Sequence, residues 1–257
     1  MTMTRRRKAE RPKRRKGESD ALLTIWKREV RSYFHTPTGY VFMGVFLTIS
    51  SAMFYMVILK QRSSDLPAFI GDMSYLWMLL SPVLTMKLLA EERQKKTDQL
   101  LLTSPSSLTG IVLGKYFAAI TVLAMTVVLT FGYVVVVAAY GQIWMRELAV
   151  CYLGFVLQGC AFVALDLYIS GCVASPMTAA ILSFGANLLL WMMDLLADSI
   201  AVVQVTDVLS FLSLYSRNEP FLMGQLSFAG LIYDLAFICA FLLLTIDHLD
   251  QRRTRGN

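Results

Sequence analysis

An all-α integral membrane protein with about six transmembrane helices is the fold class this sequence predicts, and three observations predict it. Hydrophobic residues make up 56% of the 257 positions and the mean hydropathy is +0.56, beyond what a soluble domain of this length uses for its core. The apolar residues fall into runs long enough to cross a hydrocarbon layer roughly 30 Å thick, which takes about 20 helical residues. Lys and Arg gather beside the ends of alternate connections between those runs. Backbone amides in lipid must be satisfied within their own segment, and the runs lack the alternating pattern of a barrel strand, so helices follow.

Residues 1–20 open the chain as a basic arm. It is dense in Arg and Lys, contains Pro12 and has almost no large apolar side chains, so it cannot bury a core and is expected to be disordered. Its simplest role is to set orientation and attract anionic lipid. Residues 21–37 follow as an amphipathic helix lying on the inner membrane surface. Leu22, Ile25, Trp26, Val30 and Tyr33 share one face, while Lys27, Arg28 and Arg31 lie elsewhere. The expected spans are 38–59, 69–90, 111–139, 148–171, 178–197 and 228–246, and residues 247–257 form a tail. The first run begins too late, and is too long, for a cleaved signal peptide. Between the last two spans, residues 199–226 mix Asp207, Arg217, Asn218 and Glu219 with Phe211, Leu212, Leu214 and Phe221, and are read as a short re-entrant helical element.

The charge distribution threads the chain. One side collects the basic arm, Lys27, Arg28 and Arg31, then Lys87, Arg93, Lys95, Lys96 and Lys115, then Arg252, Arg253 and Arg255. The other keeps only Lys60, Arg62, Arg146 and Arg217, together with acids such as Asp65, Asp72 and Glu147. Both termini therefore belong in the cytoplasm of a multi-pass cell-membrane protein. The same clustering explains the net charge of +6 without a nucleic-acid partner. Trp26, Tyr40, Tyr75, Tyr140, Trp144 and Tyr215 fall near span ends, where amphipathic rings anchor depth.

The connection from Met86 to Tyr116 is unlike a passive turn. Glu91, Glu92, Arg93, Lys95, Lys96 and Asp98 precede Leu100, Leu101 and Leu102, and a Ser/Thr/Pro break closes the stretch at 103–107. That composition implies a short charged helix, an apolar contact and a stop. It suits either a solvated loop carrying inside charge or a surface helix offering its polar face to a soluble partner.

EERQKKTDQLLLTSPSSLTGIVLGKY in this connection resembles the cytoplasmic segment of the type-2 ABC exporter permease family, in particular the branch with gliding-motility and copper-processing permeases. WKREVRSYFHTPTGYVF (Trp26 to Phe42) is similar to that family's approach to its first span, and ISGCVASPMTAAILSF (Ile169 to Phe184) to its turn between the fourth and fifth. Leu212 to Ile246 resembles its outer loop and last span. The resemblance implies that residues 91–110 form a coupling segment that docks on a separate ATPase, with Glu91, Glu92 and Arg93 at the contact. It also implies a homodimer, or a heterodimer with a related permease, bound to ATPase subunits that hold the ATP and Mg. Two positions depart from the family: Lys96 and Thr97 stand where Gly and Thr are common, and Asp166 stands where an uncharged residue is usual.

No enzymatic chemistry is legible in the chain itself. Gly110, Gly114 and Lys115 are one residue too tightly spaced for a phosphate-cradling loop, and Tyr116 replaces the hydroxyl that would hold magnesium. There is no HExxH zinc pattern and no GxSxG serine motif. The two glycines suit close helix packing instead. Cys151, Cys160, Cys172 and Cys239 match no disulfide or zinc spacing, and methionines such as Met192 and Met193 read as packing. No cofactor or metal is assigned to this chain. Ionisable groups in hydrocarbon are costly, which singles out Asp166, then Asp234 and Asp194. Asp166 is the deepest and is the candidate for transport or gating. The sequence thus reads as the permease subunit of an ATP-driven exporter; the alternative is a stand-alone ion-coupled transporter or channel using Asp166.

Overall fold

The computed structural model describes residues 22–60, 65–97, 107–141, 143–199 and 213–255, with side chains left out at 194–199 and at 216. The basic arm, Leu100 to Leu102 with residues 103–106 of the break that follows, and Asp207 lie outside the described residues. Among those described, every regular element is helical. They are α1 (22–35), α2 (Pro37–Phe54), α3 (Leu66–Thr85), α4 (Ala90–Gln94), α5 (Leu108–Tyr140), α6 (Met145–Cys172), α7 (Pro176–Ser199), α8 (Leu214–Leu222) and α9 (Phe228–Arg255). A π-helical turn, Tyr55–Leu59, extends α2.

Six of these are long and apolar enough to cross a membrane: Pro37–Leu59, Leu66–Gln94, Leu108–Tyr140, Met145–Cys172, Pro176–Met193 and Phe228–Thr254. Their ends follow local chemistry. Pro37 occupies the first turn of α2, where its missing N–H costs nothing. The Asp65 carboxylate accepts from Ala68 N at 3.2 Å to start α3, and the Ser107 hydroxyl accepts from Gly110 N at 3.3 Å to start α5. The last helix runs on to Arg255, past the apolar run, because Asp247, His248, Gln251 and Arg252 support it at i,i+4 spacing.

Two spans form the centre. In α3 and α6, 67% of the most apolar stretch is buried, against 17 to 39% in the other four. α6 packs on α3, α5, α7, α8 and α9. Trp77 of α3 meets Phe42 and Phe46 of α2 and Phe155 of α6 edge-on, with ring centres 5.5 to 6.4 Å apart. The outer helices turn Val128, Val135, Ile181, Leu189, Ile232 and Leu243 outward, a surface suited to lipid rather than water.

α8 confirms a helical element between the last two spans, within residues 214–222. It lies so close to α6 that a Cβ on Gly154 would stand 2.6 Å from Phe221 Cβ. α1 comes equally close to α5: a Cβ on Gly114 would meet Ile25 Cγ2 at 2.9 Å. Trp26 Nε1 donates to Thr121 Oγ1 at 3.0 Å and Tyr33 donates its hydroxyl to Leu84 O at 2.9 Å, so α1 is bonded to both α5 and α3.

Candidate functional site at the coupling segment

The α3–α5 connection meets the bundle at the end that carries α1, and it begins as four turn residues followed by α4. A five-residue helix has too few internal hydrogen bonds to hold itself, so its geometry must come from tertiary contacts. Three supply it.

The first is a cap from another helix. Leu89 precedes α4 and has no capping side chain, yet Ser170 Oγ of α6 accepts from Leu89 N at 3.3 Å and Ala90 N at 3.2 Å while donating to Met86 O at 3.2 Å. The second is Arg93, whose Nη1 donates to Gly171 O and Val173 O, both at 2.8 Å. These carbonyls end α6, where the helix dipole favours a cation.

The third contact is a knot of charge. Lys115, in the second turn of α5, is 1% exposed. Its ammonium donates to Leu88 O at 2.6 Å, to Glu92 at 2.9 Å and to Glu29 of α1 at 3.3 Å. Arg28 closes the ring, at 2.9 Å from Glu29 and 3.4 Å from Glu92. A buried ammonium is tolerable only with its protons satisfied and its charge offset, and here three acceptors from three segments do both. Burial works to raise the Glu29 carboxyl, but Lys115 and Arg28 outweigh it and hold the group below the usual carboxylate range.

Glu91, Glu92 and Arg93 therefore differ in where they face. Glu92 and Arg93 turn inward into the contacts above. The Glu91 side chain is 35% exposed and, among the described residues, accepts only a surface bond from Lys95, at 2.6 Å. Gln94, Lys95, Lys96 and Thr97 continue the exposed face. α4 ends where Thr97 N donates to Glu92 O and Lys96 N to Arg93 O, with Lys96 at φ 55°, the left-handed position that favours glycine. Here a lysine holds that conformation, at a conformational cost. Lys115, Arg28 and Glu29 were missed as a group by sequence reasoning. The available signal was a lysine inside an otherwise apolar run.

Asp166 is fully buried in α6, four residues before Ser170. Ser81 Oγ donates to its Oδ2 at 2.7 Å, and Asn187 Nδ2 of α7 reaches Ser81 Oγ at 3.4 Å. The same amide donates to Met78 O at 3.2 Å. That carbonyl is freed because Pro82, four residues on, has no N–H to give it. The two central helices α3 and α6 thus join the outer helix α7 through a neutral chain of donors ending on one carboxylate. Asp234 of α9 is also fully buried, and neither of its oxygens accepts a hydrogen bond among the described residues. The side chain of Asp194 is outside the described residues.

No curated protein matches the chain. The model of one family, described as ABC-2 family transporter protein, matches residues 1–231, which take in the first five spans and reach the start of α9. Members of that family are membrane permeases that associate with a cytoplasmic ATP-binding subunit, and with nine-tenths of its length covered this chain belongs to the ABC-2 transporter family.

Proposed function

We propose that this permease is the membrane subunit of an exporter, with both termini cytoplasmic, and that ATP turnover in the partner enters through the exposed face of α4. The observation that carries the reading is the division of labour on α4. Its outward residues Glu91, Lys95 and Lys96 make no side-chain hydrogen bond or ion pair to another helix among the described residues, while Glu92 and Arg93 bind α5, α1 and α6. A push on the outer face is delivered to three other helices through charge-assisted bonds rather than absorbed by a loop. Within this reading Glu91 touches the ATPase and Glu92 and Arg93 pass the displacement on. The branch is that of the gliding-motility and copper-processing permeases, and two permease copies, or this chain with a related one, enclose the path. Asp166, joined to α3 and α7, gates it.

The test is co-purification from detergent of the wild-type chain and Glu91→Lys, with bound chains identified and their ATP hydrolysis measured. Retention of a nucleotide-hydrolysing chain by wild type and its loss in the variant supports the reading. An active transporter that retains no such chain overturns it in favour of ion-coupled transport through Asp166.

A further inference from the structure

We propose that the seam between α2 and α3 is a binding site for a phospholipid with a zwitterionic phosphoethanolamine head. Two adjoining hollows share Thr38. One is a polar notch of about 100 Å³ between α1 and the α3–α4 turn, lined among others by Glu29, Thr36, Lys87 and Glu91. The other is an apolar groove of about 470 Å³ lined among others by Val41, Val45, Leu80 and Val83.

Register makes them continuous. Thr38, Val41 and Val45 fall at helical spacing on one face of α2, and Leu80 and Val83 fall likewise on α3, pointing to Lys87 just beyond its end. Both faces pass from polar to apolar in the same direction, as an amphiphile does. From Thr38 to Val45 the helix rises about 10 Å, the depth of the upper half of an acyl chain. The notch lies beside the amphipathic α1, where a headgroup would sit.

Charge selects the head. Lys87 lends Thr38 Oγ1 one proton at 3.2 Å and, being exposed, keeps others for a phosphate. Glu91 lines the same notch and offers its second oxygen to a primary ammonium, beside Glu29, whose carboxylate already accepts from Lys115 and Arg28. A purely anionic head meets those two carboxylates unfavourably. A choline head has no N–H to give them, and free phosphate leaves the groove empty. The proposal goes beyond the coupling reading: it shares Glu91 with that reading's contact, but its experiment uses the permease without an ATP-binding partner.

The experiment is native mass spectrometry of the full-length protein in detergent with equimolar dioleoyl phosphatidylethanolamine, phosphatidylglycerol and phosphatidylcholine. Preferential retention of the ethanolamine lipid is expected, falling about fivefold in Lys87→Met, as for one lost cation–phosphate contact. It should fall also in Val45→Trp, which fills the groove without touching the notch. Equal retention of all three lipids, or unchanged retention in both variants, overturns the site. So does disulfide cross-linking between copies through Val41→Cys that the unsubstituted chain lacks, since the seam would then be a contact between permeases.

Discussion

The chain buries charge in two places and treats it in opposite ways. At the α1 end, the Lys115 ammonium is matched by two carboxylates and a carbonyl, and a second cation, Arg28, completes the ring close to the aqueous boundary. On α6, four residues before Ser170, Asp166 has a hydroxyl donor and an amide one step behind it, with no cation among its hydrogen-bond partners within the described residues. The first arrangement is self-supporting and holds helices in register. The second keeps a carboxylate where an amide would fit, and a costly charge held without a paired cation among the described residues invites a functional explanation.

The comparison is tested most severely by removing Lys115. Lys115→Met fills the same space but leaves Glu29 and Glu92 facing one another, and should cost about 3–5 kcal/mol, as breaking a buried pair does. It would be read as a large fall in the thermal unfolding midpoint in detergent; an unchanged midpoint would mean the knot holds nothing. Asp166→Asn should do the reverse. Asn can still accept from Ser81, so stability should change by less than about 1 kcal/mol while transport in vesicles falls severalfold. If transport and assembly are unchanged, Asp166 has no part in the path.

Acid sharpens the contrast from a third side. Glu29 titrates below the ordinary carboxylate value of about 4.3, so its contribution is complete above that pH and fades as pH drops through the lower folded value. The protection factors of amides along 22–35, corrected for the intrinsic pH dependence of exchange, should therefore fall below about pH 4 and stay level toward alkali. The smallest effect belongs to Lys96→Gly, which relieves the left-handed residue at the end of α4. It should stabilise by about 0.5–1 kcal/mol, measurable as a small rise in midpoint with coupling intact.

The spans were legible because hydrocarbon thickness demands long apolar runs, and such runs are local in sequence. A short charged helix was legible at α4 from Glu91 to Lys96, while the choice between a solvated loop and a surface helix facing a partner was left open by composition. Gly114 was legible as a close-packing position, although its partner Ile25 was not. Which charges on α4 face inward could not be read. Lys115 counts as one more inside charge until the fold brings it to Glu29, 86 positions away, and to Glu92, 23 positions away. The link between Pro82 and Asn187 was hidden for the same reason: a missing N–H is visible in the sequence, and the side chain that answers for it is not.

The central claim is that force from the ATP-binding partner enters through the outer face of α4 and leaves through its inner one. The most direct measurement places a photo-crosslinking residue at Glu91 and, separately, at Arg93 in the assembled complex, followed by identification of the chain captured. Capture of the ATP-binding subunit from position 91, and of the permease itself from position 93, is the predicted result. Capture of that subunit from neither position, or from 93 alone, would contradict it.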